Sequence, residues 1–349
     1  MGNLAAALLV AVLVNVQSVR LNCDGGFNIE ELEDGRTFKF DAPLKVSASG
    51  NVFRLPVRVI NREKGKFLTI NGRRYRGTLV LRKASSGSAQ REGSLQVITE
   101  IGLDDYVSGV LPMEVSRQWP PEALKAQAVA SRTFSLHSLN RHNQEGYDLC
   151  STVHCQVFGG LESEDERTNQ AVSETRKELL LYNEKPAGTF FFSNCGGNTQ
   201  YPVNVWEKSG HLPYLRAVRC KYCKREPHFL WKNKVSSQDI AAAFARANLD
   251  LKLPLLSIQI KLGNILIRHG TRETQVRGAK FRTLLGANVI RSTHITQIKK
   301  IRGGFLFKGR GWGHGVGMCQ EGAKGMALKG FKYPEILKFY YSGTKLKKI

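Results

Sequence analysis

Three stretches of this 349-residue chain combine residue types that packing alone does not call for. In the first, Glu114 sits among Leu111, Pro112, Met113, Val115 and Trp119. An apolar setting raises a carboxyl pKa, and a carboxyl still protonated near neutral pH can hand a proton to a leaving oxygen. A surface carboxylate or a helix cap is the competing reading. The second stretch, 309–323, has glycine at every second position from Gly309 to Gly317, with His314 among them and Gln320 where a helix should begin. Glycine costs stability inside a strand. Five in a row of alternation therefore point to close backbone approach, with Gly313, His314, Gly315 and Gln320 as candidate ligand contacts. The Gly-Lys-Ser/Thr ending of a phosphate loop is missing, and a glycine-rich turn with a structural histidine is the plainer alternative. In the third stretch, 191–199, two phenylalanines run into Ser193, Gly196, Gly197 and Thr199. Such an edge can line a sugar-binding groove with hydroxyl and amide groups, or it can form a β-turn.

The elements that must position these residues are readable from periodicity. Over 20–102 the pattern is short and β-like, with strands expected at 37–40, 52–60, 66–70, 75–80 and 94–99 and a tight hairpin turn at Asn71-Gly72. At Pro120-Pro121 the character changes. Ala123, Leu124, Ala128, Val129 and Leu136 fall near helical spacing, proline suits a first turn and Glu122 suits the positive end of the dipole, so a helix is expected over 121–140. Further helices are expected over 164–176, 236–247, 321–328 and 333–341, and further strands over 179–182, 189–193, 256–262 and 304–308. The class expected is α+β, mixed and largely antiparallel.

With 52 Lys and Arg against 29 Asp and Glu, the formal charge of +23 favours any anionic polymer: nucleic acid, lipid head groups or an anionic cell wall. No zinc-finger spacing, aromatic RNA-binding strand or recognition helix accompanies the charge, so no specific nucleic acid is expected. The uncharged apolar run over 4–14 resembles the core of an export signal, although no Lys or Arg precedes it and it is short for a bilayer of about 30 Å. We read 1–19 as a signal or signal-anchor, in preference to a buried N-terminal element or a misassigned start. An exported, periplasmic or envelope-associated protein with an optional membrane tether follows. Cys23 follows a large residue, Asn22, which argues against lipidation. The remaining chain divides into a β-rich region, 20–100, and a region carrying the chemistry, 101–349.

Seven cysteines cannot all pair within one chain. Cys220 and Cys223 form a CxxC flanked by Arg219, Lys221 and Lys224, cations that lower a thiol pKa. No thioredoxin-like strand and helix surround them, so a local disulfide or half of a metal site is expected.

Taken together, 103–134 (LDDYVSGVLPMEVSRQWPPEALKAQAVASRTF), 150–158 (CSTVHCQVF), 193–199, Val205-Trp206 with 213–215, and 311–344 ending in YYSGT resemble the SpoIID/LytB family of sporulation and amidase-enhancer proteins, in the same order. The resemblance implies lytic transglycosylation of peptidoglycan glycan strands, particularly strands stripped of stem peptides, with Glu114 at the catalytic position and the helices packed around a glycan-binding groove. Ordinary glycosidases use two carboxyls. Here the sugar's own 6-hydroxyl would attack the anomeric carbon, so one carboxyl suffices and no cofactor is needed for catalysis. Some members hold a zinc with two Cys and His residues in this region. Cys150, His154 and Cys155 match that pattern, with His142 as the preferred fourth ligand and His137 as its rival. Thiolates and imidazoles suit tetrahedral zinc, and the competing readings are a Cys150–Cys155 disulfide or reduced, buried thiols. Cys319 stands where the family commonly has serine and reads as a tolerated small replacement. The rival function is a non-catalytic, glycan-binding activator of an N-acetylmuramoyl-L-alanine amidase, which would then be a partner.

Overall fold

The computed structural model describes residues 7–84, 91–206, 210 and 212–349. The start of the apolar run, 4–6, lies outside the described residues. Two compact units emerge, one reaching to Gly188 and including Leu346–Ile349, the other Thr189–Lys345.

The first unit is built on a seven-stranded sheet in the order Leu149–Cys150, Leu8–Val16, Leu95–Ile101, Thr78–Lys83, Val57–Asn61, Phe27–Glu31 and Thr37–Phe40. Its pairings are antiparallel except at the Leu149–Cys150 edge. The segment read as an export-signal core is here a strand, pairing with Leu95–Ile101 from Leu8↔Ile101 to Val16↔Leu95. Leu8, Val10 and Val12 face the main core, while Ala11 packs with Val80, Ile98 and Tyr147 on the opposite face. A strand covered on both faces needs a continuous apolar run, and periodicity cannot separate that from a hydrophobic leader. Cys23 is buried in the same core. Among the described residues no helix is long and apolar enough to cross a membrane.

A four-stranded sheet, ordered Leu44–Ser47, Ser18–Asn22, Leu68–Ile70 and Arg73–Tyr75, completes the β region. Its last two strands are joined through Asn71 and Gly72, whose φ values of 49° and 85° give the hairpin expected from the sequence. The expected 75–80 strand is interrupted at Gly77 (φ +81°), where a Cβ would strike the Glu100 carbonyl.

Among the described residues there are eight α-helices: α1 (Leu103–Glu114), α2 (Pro121–His137), α3 (Glu166–Glu174), α4 (Pro202–Val205), α5 (Ser237–Ala245), α6 (Gly278–Leu285), α7 (Gln320–Ala327) and α8 (Tyr333–Tyr340). The sequence reading missed α1, α4 and α6. Gly109 and Pro112 disguise α1, but a Cβ at Gly109 would enter the Phe158 ring, and Pro112 falls in the final turn. Tyr106, Val107, Val110 and Leu111 of α1 join one core with the strand residues Leu8, Val57 and Leu79. That shared core joins α1 to the β-rich region within the first unit.

Arg132 of α2 is fully buried. Its Nε donates to Asp104 Oδ1 of α1 at 2.7 Å, and its other nitrogens donate to the Val172 carbonyl of α3 at 3.1 Å and the Glu178 carbonyl at 3.4 Å. Burial pulls this guanidinium below its usual range, and the Asp104 carboxylate opposes that. One side chain thus fastens α1, α2 and α3 together.

The second unit holds a three-stranded antiparallel sheet, Leu230–Ser236, Gly304–Arg310 and Ile295–Ile301, and a meander, Leu255–Lys261, Asn264–His269 and Arg272–Arg277. Trp231, Phe244, Phe281, Phe305 and Phe307 fill its core. A short parallel pair, Phe191–Phe192 with Met318–Cys319, carries the glycine-rich stretch. The class is α+β, mixed and mostly antiparallel, as expected.

Candidate functional site

Glu114 is the last residue of α1, which stops because Val115 is extended (φ −140°, ψ 153°). The side chain is half-buried. At this position the carbonyl end of the helix dipole opposes a negative charge, and the Val157 N–H donates to Oε1 at 3.2 Å. The apolar setting expected from sequence is partial. Of its neighbours in the chain, Leu111 and Val115 are buried, whereas Met113 is 46% exposed.

Val157 belongs to the loop that carries the histidines and cysteines. His142 follows α2 and forms an isolated bridge with Tyr147, whose ring stacks on the imidazole at 4.8 Å. Cys150 ends an edge strand, and His154 and Cys155 follow in a turn. The ligand atoms of His142, Cys150, His154 and Cys155 all lie within 4.8 Å of one another. Cys155 Sγ is 3.4 Å from His142 Nε2 and 3.7 Å from His154 Nδ1, and Cys150 Sγ is 3.8 Å from His154 Nδ1. The neighbouring Cys155 thiol, with help from Thr152, holds Cys150 down to about 3, in the thiolate form that metals bind. No disulfide links the two. His137 is elsewhere, its Nδ1 3.1 Å from the Pro186 carbonyl oxygen, so the structure groups His142 and not His137 with the cysteines.

Tyr106 of α1 feels the charges of both the carboxyl and this group. Its hydroxyl is fully buried without a hydrogen-bond partner. Burial pushes the phenol well up, and the charges of Cys155, Glu114 and Cys150 add to that effect. The sequence reading missed Tyr106 because a tyrosine on an unrecognised helix carries no signal of its own. A recess of about 570 Å³ lined by Asp104, Asp105, Ser108, Arg132 and Arg176 lies at the opposite end of α1 from Glu114.

The eight residues expected to contact sugar all belong to the second unit. Most of their polar groups are engaged internally. Thr199 Oγ1 accepts the Val218 N–H at 2.8 Å, the Gly196 N–H donates to Asn194 Oδ1 at 2.8 Å, and the Gly315 carbonyl accepts the Gln200 N–H at 2.7 Å. The Ser193 carbonyl accepts the Glu321 N–H at 3.0 Å, Gln320 is buried where α7 begins, and the Gly197 carbonyl accepts the Cys220 N–H at 2.9 Å. The alternating glycines answer to the same packing. Gly313 has φ +123° and its Cβ would meet Phe192, while at Gly317 (φ +80°) a Cβ would meet the Phe190 carbonyl. The close approach inferred from sequence is therefore first an approach of backbone to protein.

His314 is different. The Val316 N–H donates to its Nδ1 at 3.1 Å, so the proton resides on Nε2, which donates to the Phe191 carbonyl at 2.9 Å. Desolvation lowers this imidazole to about 4, and it is neutral at pH 7. With both nitrogens bonded to backbone it is an aromatic surface more than an acid or base. It meets the Trp206 ring at 5.2 Å. The two rings line a recess of about 470 Å³ together with Arg277, Lys280, Arg282 and Thr293. Aromatic faces and cations lining one recess suit a sugar that bears a carboxylate. Arg277 and Lys280 were not singled out by sequence, since basic residues are scattered throughout this chain.

A family model described as SpoIID, Stage II sporulation protein, matches residues 91–182, a span that includes Glu114 and all four members of the histidine–cysteine group. The chain is 38% identical over 286 residues to an uncharacterized protein of Brachyspira hyodysenteriae, covering 80% of this chain and 73% of that one. It is 30% identical over 270 residues to stage II sporulation protein D of Bacillus subtilis, covering 72% and 76%. To the amidase enhancer of Bacillus subtilis it is 29% identical over 294 residues, covering 69% of this chain but 40% of that longer protein.

Proposed function

The chain belongs to the SpoIID/LytB family, and on that premise we propose that it is a lytic transglycosylase of peptidoglycan glycan strands already stripped of their stem peptides, with Glu114 as its acid and base. In this reading the protonated Glu114 carboxyl gives its proton to the glycosidic oxygen as the bond to the anomeric carbon breaks. The 6-hydroxyl of the same sugar then attacks that carbon and closes a 1,6-anhydro ring. Its proton passes to the Glu114 carboxylate, which restores the starting state without consuming water. The observation that carries the reading is the seat of Glu114: it is half-buried at the carbonyl end of α1, and one backbone N–H fixes an oxygen.

His142, Cys150, His154 and Cys155 fit a zinc ion in number, type and mutual distance. Four protein ligands leave no position for water, so what the ion supplies when bound is bracing of the loop that ends at Val157. The second unit's recess suits the same polymer. Trp206 and His314 offer faces on which sugar rings stack, and Arg277 and Lys280 suit the lactyl carboxylates that removal of the peptides leaves free. On this reading the protein is exported and works in the cell envelope, where the charge of +23 assists adhesion to anionic wall polymers.

The likeness to a protein named amidase enhancer favours one second reading, a glycan-binding activator of an amidase. The two part in a simple assay. The isolated protein should release sugar fragments from peptide-free glycan. An activator would release none, yet would raise the turnover of an added N-acetylmuramoyl-L-alanine amidase.

A further inference from the structure

The CxxC and two other cysteines have no place in the reaction above, yet the second unit brings them to one point. Cys195 follows the strand Phe191–Phe192, and Cys319 ends the strand that pairs with it, in register Phe192↔Cys319. Cys220 and Cys223 arrive on a loop tied to the same strand end by the Cys220 N–H to the Gly197 carbonyl, 2.9 Å. The four sulfurs all lie within 4.8 Å of one another, with Cys195 and Cys223 at 3.4 Å. None of these residues is more than 5% exposed.

Such a cluster has few explanations. A disulfide would bring two sulfurs to about 2.05 Å, and all four are free thiols. Thiols are weak hydrogen-bonding groups, so four of them collected in a polar knot without a ligand gain little. Sulfurs about 2.3 Å from a common tetrahedral centre are about 3.8 Å apart, close to what is seen. A cubane iron–sulfur cluster would insert its own iron and sulfide between the cysteines, for which sulfurs this close leave no room.

Hydrogen-bond donors face two of the sulfurs. The backbone N–H groups of Cys195 and Gly322 each donate to Cys319 Sγ at 3.2 Å, and the Tyr340 hydroxyl lies 3.2 Å from Cys220 Sγ. Arg219, Lys221, Lys224 and Arg225 interleave the CxxC, which suits the net negative charge of four thiolates around a divalent ion. Gly322 is pressed against the cluster, where a Cβ would meet Cys220 Sγ at 2.8 Å.

We propose that Cys195, Cys220, Cys223 and Cys319 form a closed tetrahedral zinc site. The site is structural, since no coordination position is left for water or substrate. It fastens the end of the glycine-rich stretch to the strand end at Cys195 and to the CxxC loop, three segments that otherwise meet through short pairings. Cys319 is on this account a ligand, not a tolerated replacement. The odd cysteine count resolves without disulfides, as four in this site, two beside His142 and His154, and Cys23 in the core.

The test is metal content of the full chain, purified without a polyhistidine tag, by plasma mass spectrometry and native mass spectrometry. A Cys150→Ser/His154→Ala variant, which lacks the first unit's donor set, should keep one zinc per chain, and Cys223→Ser should lose that one equivalent. Should Cys223→Ser fail to fold, alkylation of the wild-type protein decides. Cys195, Cys220, Cys223 and Cys319 should resist iodoacetamide until the metal is stripped and then react together. A folded Cys150→Ser/His154→Ala protein free of zinc would overturn the proposal. Iron in the site, or disulfides among these four in peptide maps of unreduced protein, would overturn it equally.

Discussion

The backbone N–H of Val157 donates to Glu114 Oε1 at 3.2 Å, and Val157 lies two positions beyond Cys155. The carboxyl assigned to proton transfer is thus oriented by the loop that the histidine–cysteine group shapes. If a zinc holds that group, its removal should act on Glu114 through Val157 and not through chemistry at the metal. Cys155→Ser or chelation is expected to lower kcat about tenfold or more, with little change in KM. Hydrogen exchange at the Val157 amide should rise in the same samples, and unchanged exchange with lost activity would contradict this coupling.

Arg132 is buried without any exposure and Asp104 is the carboxylate that answers it at 2.7 Å. Asp104→Ala leaves a buried guanidinium with carbonyl and hydroxyl partners alone, and should destabilise the first unit by about 3 kcal/mol. Urea unfolding would show this as a lower midpoint. A change within a few tenths of a kcal/mol would mean that the carbonyls suffice.

His314 sets a pH dependence of known sign. Its ordinary value is 6.5 and burial lowers it to about 4, so the unfolded chain binds the proton more readily than the folded one. Its contribution to stability is complete above pH 6.5, is lost as pH falls from there toward 4, and changes no further below that. The full loss is about 3 kcal/mol, at 1.36 kcal/mol for each pH unit. Unfolding free energies measured from pH 7.5 to 4.5 should fall less steeply in His314→Gln than in the parent. Parallel slopes would place the acid sensitivity elsewhere.

Trp206 and His314 are the aromatic residues that line the second unit's recess. Trp206→Ala should weaken binding of peptide-free glycan about tenfold, the order of one aromatic contact of up to about 1.5 kcal/mol. Arg277→Ser with Lys280→Ser should instead flatten the salt dependence of binding. Calorimetry at two ionic strengths separates the effects. Unaltered affinity in both variants would move glycan recognition away from this recess.

The residues show where sequence was informative and where it was not. Asn71-Gly72 announced its hairpin because only a positive-φ pair closes a two-residue turn, and Pro120-Pro121 announced α2 because proline belongs at a first turn. Helix α1 was hidden because Gly109 and Pro112 are poor helix formers by local propensity, yet the first is required against Phe158 and the second is accommodated in the final turn. Those are tertiary reasons that no local propensity records. The strand Leu8–Val16 was open to two readings, since a run apolar on both faces has the same pattern as a leader. Glu114 and the set His142, Cys150, His154 and Cys155 are expectations of the family resemblance, and the structure brings the ligand atoms of the set within 4.8 Å of one another. The meeting of Cys195 and Cys319 with the CxxC was not, because it depends on a parallel strand pair formed by residues more than a hundred positions apart.

The central claim is that Glu114 drives an intramolecular ring closure. Peptide-free glycan should be digested in water enriched in ¹⁸O with wild-type and Glu114→Gln proteins of matched stability, and the fragments weighed by mass spectrometry. The account requires wild-type fragments ending in a 1,6-anhydro sugar, one water lighter than hydrolysed ends and without ¹⁸O, and no fragments from Glu114→Gln. Fragments carrying ¹⁸O at the new end, or equal yield from the Glu114→Gln protein, would contradict it.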